Sequence, residues 1–363
     1  MPPPPVIVPP TPTRPARRRY GWMIFALILL VLLGFSLLGN LGHYLGLVSP
    51  MKVVRTRPVG PRLEEVVTED NDASSKIAVV EVNGIISGGV IDQSGYNMVD
   101  VIKTQLRRAA EDDRVKAVIL KVDSPGGEVL ASDEINRKIA EFQRKPHGKP
   151  VVCSMGNLAA SGGYYVSAAS RWIVANDLTI TGSIGVILST WNYRNLMDKV
   201  GVRPQTFKSG KYKDMLSGSR EPDSITPEEQ EMVQALVNET YGRFTNVVAT
   251  GRIWAYEKNQ SQGRALKEDW AEYTDGRILS GTEAFRLGFV DQLGTFEDAV
   301  KQAKIIAGIH NANLIEYQQR YDLSDLFRLF GRTESKTVKV DLGMAMPKLQ
   351  AGQLYFLSPT FVR

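Results

Sequence analysis

The sequence is poor in the residues that most often carry chemistry, with three histidines and one cysteine in 363 residues. A single cysteine excludes an internal disulfide bond and any metal site built from several thiolates. The motifs HExxH and CxxC are absent and the histidines are scattered, so we expect neither a metal nor a cofactor. Cys153 lies in the apolar run Val151–Cys153, which favours a buried structural thiol over a thiol nucleophile.

Outside the first 19 residues, the numbers of basic and acidic residues are nearly equal. That segment contains four arginines and no acidic residue, and the rest of the chain has 40 basic and 39 acidic residues. The basic isoelectric point therefore reflects mainly a short tail. It is poor evidence for nucleic-acid binding, and we expect no nucleic-acid partner.

Charged residues are missing altogether between Tyr20 and Met51. The apolar core of this stretch, with its flanks, has the length that spans a bilayer, and no cleavage-site pattern follows it. We therefore expect an uncleaved single-pass anchor rather than a signal peptide. Arg17, Arg18 and Arg19 directly precede the stretch, which favours an N-terminus in the cytoplasm and a main domain on the extracytoplasmic side of the cytoplasmic membrane.

The remaining chain alternates strand-like and helix-like segments, which predicts an α/β fold with right-handed crossovers. A buried strand, VKAVILKVDSPGG, runs into a glycine turn, and KPVVCSMG is predicted to be the next strand. A helix is predicted over 159–169 and a strand over 183–188. The segment 226–229, TPEE, predicts a capping box at the start of a further helix. The expected divisions are a proline-rich tail (1–19), a transmembrane anchor (20–42), a linker (43–75), a catalytic domain (76–308) and a C-terminal extension (309–363).

One serine lies in a setting suited to a nucleophile, within MGNLAASGGYYVSAAS. Small residues precede Ser161 and two glycines follow it, and a second glycine turn occurs at Gly126 and Gly127. The amide after a serine nucleophile often supplies half of an oxyanion hole, and the other turn could supply the second half. Tight turns without function are the alternative, but two such turns in a β/α context favour an active site.

The base that would activate this serine is not obvious from the residues alone. No histidine has a motif around it, so lysine is the remaining candidate, since Ser–Lys pairs are a known variant of the catalytic triad. A free lysine has a pKa of about 10.4, and an apolar pocket can favour its neutral form. Lys208, Lys211 and Lys213 lie among aromatic and apolar residues, and spacing does not choose between them.

Five segments in order resemble the bacterial signal peptide peptidase A family, over roughly residues 76–308. They are SPGGEV, MGNLAASGGYYVSAA, ITGSIGVI, KSGKYKDML and DGRILSGTEAFRLGFVDQLGTFEDAV. The resemblance implies a ClpP/crotonase-like fold and a membrane-anchored Ser–Lys peptidase that degrades cleaved signal peptides and other apolar, unfolded segments. By resemblance, the site consists of Ser161 as nucleophile, Lys213 as general base, Ser183 as its hydrogen-bond partner, and Gly126, Gly127 and Gly162 as the oxyanion hole.

The resemblance also bears on assembly, because this chain has the single core of the short family members. Such members form octameric rings in which adjacent subunits share each dyad, so we expect a homo-octamer that is inactive as a monomer. The alternatives are a non-catalytic ring scaffold, a crotonase-type acyl-CoA enzyme on the same fold, and a peptidase that processes other membrane proteins.

The C-terminal region matches the family weakly. Its segment 321–332 is amphipathic, and we expect either an ordinary packed helix or a contact with a neighbouring subunit or the membrane. The last residues, GQLYFLSPTFVR, are apolar and extended. Because proteases bind substrates as extended strands, this tail is predicted to occupy a substrate site in trans.

Overall fold

The computed structural model describes residues 20–44, 60–89, 96–319 and 355–357. The proline-rich tail, residues 45–59 of the predicted linker and the segment 321–332 lie outside the described residues. The chain divides into two compact units, 1–57 and 58–363.

The first unit contains helix α1, Tyr20–Tyr44, which coincides with the uncharged stretch. Its described side chains between Trp22 and Leu33 are apolar and exposed. Among the described residues, no helix is long and apolar enough to cross a membrane.

The second unit is built on one sheet, and the described part of that sheet contains nine strands. Its strands are β1 Leu63–Glu69, β2 Lys76–Asn83, β3 Val115–Ser124, β5 Val151–Ala160, β6 Trp172–Ala175, β7 Ile180–Gly182, β8 Ile278–Ser280, β9 Gln292–Leu293 and β10 Asn313–Gln319. A separate pair consists of β4 Gly126–Glu128 and β11 Tyr355–Leu357.

The helices of this unit connect the strands. They are α2 Met98–Glu111, α3 Val129–Arg144, α4 Gly162–Ser167, α5 Arg194–Lys199, α6 Pro227–Lys258, α7 Gly281–Leu287 and α8 Phe296–Ala307. Short 3₁₀ turns occur at Pro222–Ser224 and Trp270–Tyr273.

The main path of the sheet is β1-β10-β2-β3-β5-β6-β9, with β7 beside the end of β5 and β8 beside β7. All pairs are parallel except β1 with β10 and β7 with β8. The α/β class predicted from the sequence is confirmed. Because the central strands are parallel, their carboxyl ends meet at one edge of the sheet, where α/β proteins commonly place their sites.

Alternate residues of β3 face two different apolar layers, as the two-residue period of a strand requires. Val118 and Leu120 pack in a large core with residues of α2 and α3, whereas Ala117 and Ile119 pack in a smaller core with α8. Both faces of the sheet are therefore covered by helices. This explains why its central strands read as continuous apolar runs.

Two strands lie outside the predicted catalytic domain. Strand β1 falls within the predicted linker and β10 within the predicted extension, and the two pair along seven-residue strands. The folded unit therefore begins earlier and ends later than residues 76–308, and the linker is shorter than predicted. Only Leu63 of β1 is buried, and the sequence of this strand therefore has no strong alternation of apolar and polar residues.

Candidate active site

Ser161 lies at the turn between strand β5 and helix α4, at the carboxyl end of the strand. It is the residue before the first turn of α4, and its backbone has φ 54° and ψ −118°. This conformation is unfavourable for a residue with a side chain and is found mainly where the surroundings enforce it. Two hydrogen bonds do so: the Ser161 N–H donates to Gly182 O, and the Tyr165 N–H donates to Ser161 O, both at 2.8 Å.

The Ser161 side chain is almost completely buried, with 1% of the residue exposed. Its Oγ is a buried polar atom that has no hydrogen-bond partner among the described residues. An unpaired buried hydroxyl costs free energy, and such groups call for a functional or structural explanation. It follows that Oγ is not hydrogen-bonded to Lys213 within one chain.

Ser183 is adjacent to Ser161 at the level of the backbone. Strands β5 and β7 pair in parallel with Ala160 opposite Gly182, so each serine follows the last paired residue of its strand. Ser183 also has a positive φ, 50°, and its N–H donates to Arg277 O at 2.7 Å. The left-handed conformation ends the strand here, although the sequence predicted a strand over 183–188.

The two glycine turns singled out from the sequence are in contact. A Cβ built on Gly162 would lie 3.0 Å from Gly126 Cα and 3.1 Å from Gly127 N. Gly126 has φ 103°, and its N–H donates to Ser124 Oγ at 3.1 Å. A Cβ on Gly127 would lie 1.9 Å from Ile86 O, so a side chain there would clash with backbone. The two turns are therefore packed too closely for side chains at Gly162 and Gly127.

A strand from the C-terminal tail pairs with the second glycine turn. Strand β11 runs antiparallel to β4, with Phe356 opposite Gly127 and Leu357 opposite Gly126. The sequence predicted that this tail would enter a substrate site in trans. The structure shows it pairing within the same chain, next to the predicted oxyanion hole.

Lys213 lies in a different environment, in the exposed segment between α5 and α6. Lys208 Nζ lies 2.7 Å from Asp214 Oδ1, and Lys211 Nζ lies 2.8 Å from Glu228 Oε2. In the described part of the chain, Lys213 Nζ has neither a hydrogen-bond nor an ion-pair partner. Of the three candidate lysines, Lys213 is thus the one whose amine is not engaged by any described residue.

Helix α6 begins directly after this segment and anchors it. Thr226 and Glu229 form a capping box, with Pro227 as the first helical residue, as the sequence predicted. Hydrogen bonds from Arg220 and from the Thr226 N–H hold the pKa of Glu229 well below its usual range, at about 2. The segment that carries Lys213 is therefore fixed to the start of a long helix by charge.

Asp133 is a buried residue near the site that sequence reasoning did not identify. Its Oδ1 accepts hydrogen bonds from Tyr165 Oη at 2.6 Å and Arg243 Nη2 at 3.1 Å. Burial opposes ionisation of Asp133, but these two donors outweigh it and lower its pKa. Asp133 on α3 therefore ties the helix that follows Ser161 to α6. The second tyrosine of SGGYY was the available signal, since a buried tyrosine needs a partner for its hydroxyl.

The other candidate nucleophile and bases are unfavourably placed. Cys153 is completely buried in the middle of β5, and burial raises the pKa of its thiol to about 12, so a reactive thiolate is not expected. His147 lies in the exposed loop after α3, and His310 follows α8. Among the described residues, no group of three or more histidine, cysteine or acidic side chains is arranged to hold a metal ion.

Comparison with known proteins identifies the family. Residues 143–310 match the model of peptidase family S49. A relative from Synechocystis, named "Putative protease slr0021", is 40% identical over 271 residues, which cover 74% of this chain and 88% of the relative. The chain belongs to the signal peptide peptidase A family of S49 peptidases.

Other members share the same region. A "Putative signal peptide peptidase SppA" of Enterococcus faecium is 39% identical over 260 residues, covering 70% of this chain and 71% of that protein. Protease 4 of Haemophilus influenzae is 35% identical over 65% of this chain, which spans 35% of that protein. A solved membrane-bound stomatin-specific protease, 1510-N, matches with 18% identity and a TM-score of 0.36, covering 64% of this chain and 86% of that one.

Proposed function

We propose that this S49 peptidase is a serine endopeptidase with Ser161 as its nucleophile. The observation that carries the proposal is the buried Ser161 hydroxyl, which has no partner among the described residues and lies on a backbone held in an unfavourable conformation. Gly162, directly after this residue, packs against the second glycine turn at Gly126 and Gly127. A buried serine with only a structural role would ordinarily hydrogen-bond a neighbour.

In the proposed reaction, a neutral Lys213 takes the proton of Ser161 while Oγ attacks the peptide carbonyl. Backbone N–H groups hold the oxyanion of the tetrahedral intermediate, and each such donor is worth roughly 3–4 kcal/mol in the transition state. The amine leaves with the proton from Lys213, and an acyl-enzyme remains. Lys213 then takes a proton from the water that releases the acyl group, while Ser183 steadies the lysine amine.

The hydrogen bonds support a choice among the proposed oxyanion donors. The Gly126 N–H already donates to Ser124 Oγ, so it is the less available of the two glycines in this turn. We therefore favour Gly162 and Gly127 as the donors. Such an arrangement is compatible with the ClpP/crotonase-like fold that the family resemblance implies.

We propose further that each site is shared between two chains of a homo-octamer. Within one chain, neither Ser161 Oγ nor Lys213 Nζ has a partner among the described residues. The segment around Lys213 also exposes large apolar side chains, which is typical of an interaction surface: Trp191, Leu196, Val200, Val202 and Phe207. Packing of this surface on a second copy would bring its Lys213 to Ser161.

The proposed substrates are cleaved signal peptides and other apolar, extended segments. Strand β4 supports this class because its edge accepts a strand, β11, beside the predicted oxyanion hole. Main-chain pairing of this kind gives affinity for extended peptides irrespective of much of their sequence. We propose that the tail competes with substrate for this edge.

The proposed location is the cytoplasmic membrane, with the catalytic domain on the extracytoplasmic side. Its support is the sequence: three arginines directly precede a stretch of 32 residues without charge. Resistance of the full-length chain to alkaline extraction from membranes is the expected result. Digestion of the catalytic domain by protease added outside intact spheroplasts would establish its side.

The test of the function is hydrolysis of fluorogenic apolar peptides by the full-length, detergent-solubilised protein and its S161A variant. Ser170→Ala is the matched control, because Ser170 Oγ is also buried without a partner among the described residues but lies between α4 and β6. We expect activity in the wild type and S170A and none in S161A. Equal activity in S161A would exclude Ser161 as the nucleophile. An inactive wild type that remains assembled would favour a ring scaffold.

A further inference from the structure

The segment that carries Lys213 contains a linked set of charged side chains that the proposed reaction does not use. Asp214 directly follows Lys213 in the chain, and its Oδ1 lies 2.7 Å from Lys208 Nζ and 3.7 Å from Arg220 Nη1. Arg220 Nη1 in turn donates to Glu229 Oε1 at 2.6 Å, at the start of α6. The side chains of Asp214, Arg220 and Glu229 are all at most 16% exposed, so this linkage is shielded from solvent.

The position of Asp214 creates a problem for a general base at Lys213. A carboxylate beside an amine favours the protonated ammonium, and an ammonium cannot accept the serine proton. A flexible lysine side chain can reach the carboxylate of the next residue. Yet Lys213 Nζ has no ion-pair partner in the described part of the chain. The Asp214 carboxylate is instead occupied by two other cations.

We infer that Lys208 and Arg220 are positioning residues that keep the Asp214 carboxylate engaged, so that the Lys213 amine stays available as the general base. This inference rests on the proposed function. Hydrogen bonding from Lys208 also holds the pKa of Asp214 below its usual range, so the carboxylate is charged at neutral pH. Without Lys208 and Arg220, the Asp214 carboxylate would be an unpaired anion directly adjacent to Lys213 in the chain.

Other charged groups around the segment are engaged in a similar way. Glu228 pairs with Lys211, Glu229 pairs with Arg220 and the N-terminus of α6, and Glu221 pairs with Arg194 of α5. Besides Lys213, the charged or titratable side chains of α5, of residues 200–226 and of the first turn of α6 are Arg194, Asp198, Lys199, Arg203, Lys208, Lys211, Tyr212, Asp214, Arg220, Glu221, Asp223, Glu228 and Glu229. Among these acidic residues, Asp214 is the one directly adjacent to Lys213 in the sequence.

The sign of each effect follows from charge. Lys208→Met removes a partner of Asp214 and favours the ammonium of Lys213, so the acid limb of the kcat/KM profile moves to higher pH. Asp214→Asn leaves Lys208 without its anion and Arg220 with Glu229 alone, and it moves the limb to lower pH. We expect shifts of about 0.5–1 pH unit, which is roughly three- to tenfold in kcat/KM on that limb.

The experiment measures pH profiles of peptide hydrolysis by the full-length protein and the variants K208M, D214N and K208M/D214N. Lys208 is on the surface, so its replacement is not expected to impair folding. If Lys208 acts through Asp214, the upward pH shift of the acid limb caused by K208M should be less than half as large in the D214N background. Arg220→Lys, which keeps the cation, should leave the limb near its wild-type position.

An equal K208M shift in both backgrounds would contradict the inference, because it would reflect the lost lysine charge alone. Shifts of D214N and K208M in the same direction, or no shift, would also overturn it. Failure of the proposed function itself looks different. If the proposed function is wrong, K213A or S161A stays active, irrespective of the pH profiles of the other variants.

Discussion

The two parts of the proposed dyad are held in opposite ways. Ser161 is buried at the junction of β5 and α4, and its position is fixed by parallel strands and closely packed glycines. Lys213 is exposed between α5 and α6, and its segment is fixed by ion pairs to the start of α6. In the proposed assembly, the buried serine of one chain and the surface-exposed lysine of its neighbour would form one site.

The largest effect is expected at the base. Lys213→Arg keeps the length and charge of the side chain but cannot act as a base near neutral pH, because arginine does not deprotonate. We expect kcat to fall by about 10³-fold or more, as for loss of a general base. Peptide hydrolysis by the assembled variant measures this, with K211R as the matched control. A K213R enzyme with near wild-type kcat would remove Lys213 from the mechanism.

Replacing a packed glycine at the nucleophile should have the next largest effect. In Gly162→Ala the new methyl group would lie 2.7 Å from Ser132 Oγ and 3.0 Å from Gly126 Cα. We expect a loss of about 1–3 kcal/mol in unfolding free energy from overpacking, together with a large loss of kcat.

The matched control for that variant is Gly242→Ala in α6, where a Cβ would meet nothing within 4 Å. Alanine should stabilise the helix there by up to about 1 kcal/mol. Denaturant unfolding and hydrolysis rates of both variants provide the comparison. Equal behaviour of G162A and G242A would contradict the close packing around Ser161.

Removal of the tail tests whether the edge of β4 is open to substrate. Deletion of residues 350–363 removes β11 from its pairing with Gly126–Glu128. We expect a several-fold rise in turnover at low peptide concentration, seen mainly as a lower KM, because an intramolecular competitor has been removed. Unchanged kinetics would mean that the tail does not compete with substrate.

The smallest expected effect is on the pH dependence of stability. The pKa of Glu229 is lowered to about 2 in the fold, from an unfolded value near 4.5. Its contribution to unfolding free energy is therefore complete above pH 4.5 and is lost as the pH falls from 4.5 toward 2. Glu229→Gln should flatten the fall in Tm over this range. A parallel fall in wild type and variant would show that the Arg220–Glu229 pair does not stabilise the segment.

The sequence predicted those features that depend on local patterns. The parallel α/β arrangement followed from alternating apolar segments, the capping box at Thr226 from four adjacent residues, and the turn at Ser161 from SGG. The predicted helix over 159–169 begins later, at Gly162, because Ala159 and Ala160 still pair with β7. The predicted strand over 183–188 was wrong, because β7 ends at Gly182 and Ser183 adopts a positive φ.

Features that depend on distant residues were beyond the sequence. Strand β1 is polar on most positions and is defined by its pairing with β10, some 250 residues later. The contact between Gly162 and Gly126, and the missing partner of Ser161 Oγ, emerge only when separate turns are brought together. The ion pairs of Asp214 and Glu229 likewise depend on how the segment folds back on α6.

The measurement that tests the central claim most directly is complementation between two inactive variants, S161A and K213A. If a site takes Ser161 from one chain and Lys213 from the next, mixed assemblies contain some intact sites. Under conditions that exchange subunits, an equal mixture should recover about a quarter of wild-type activity, since each site has one contact between neighbours in a cyclic assembly. No recovery, despite proven subunit exchange and an active wild-type control, would contradict a dyad shared between chains.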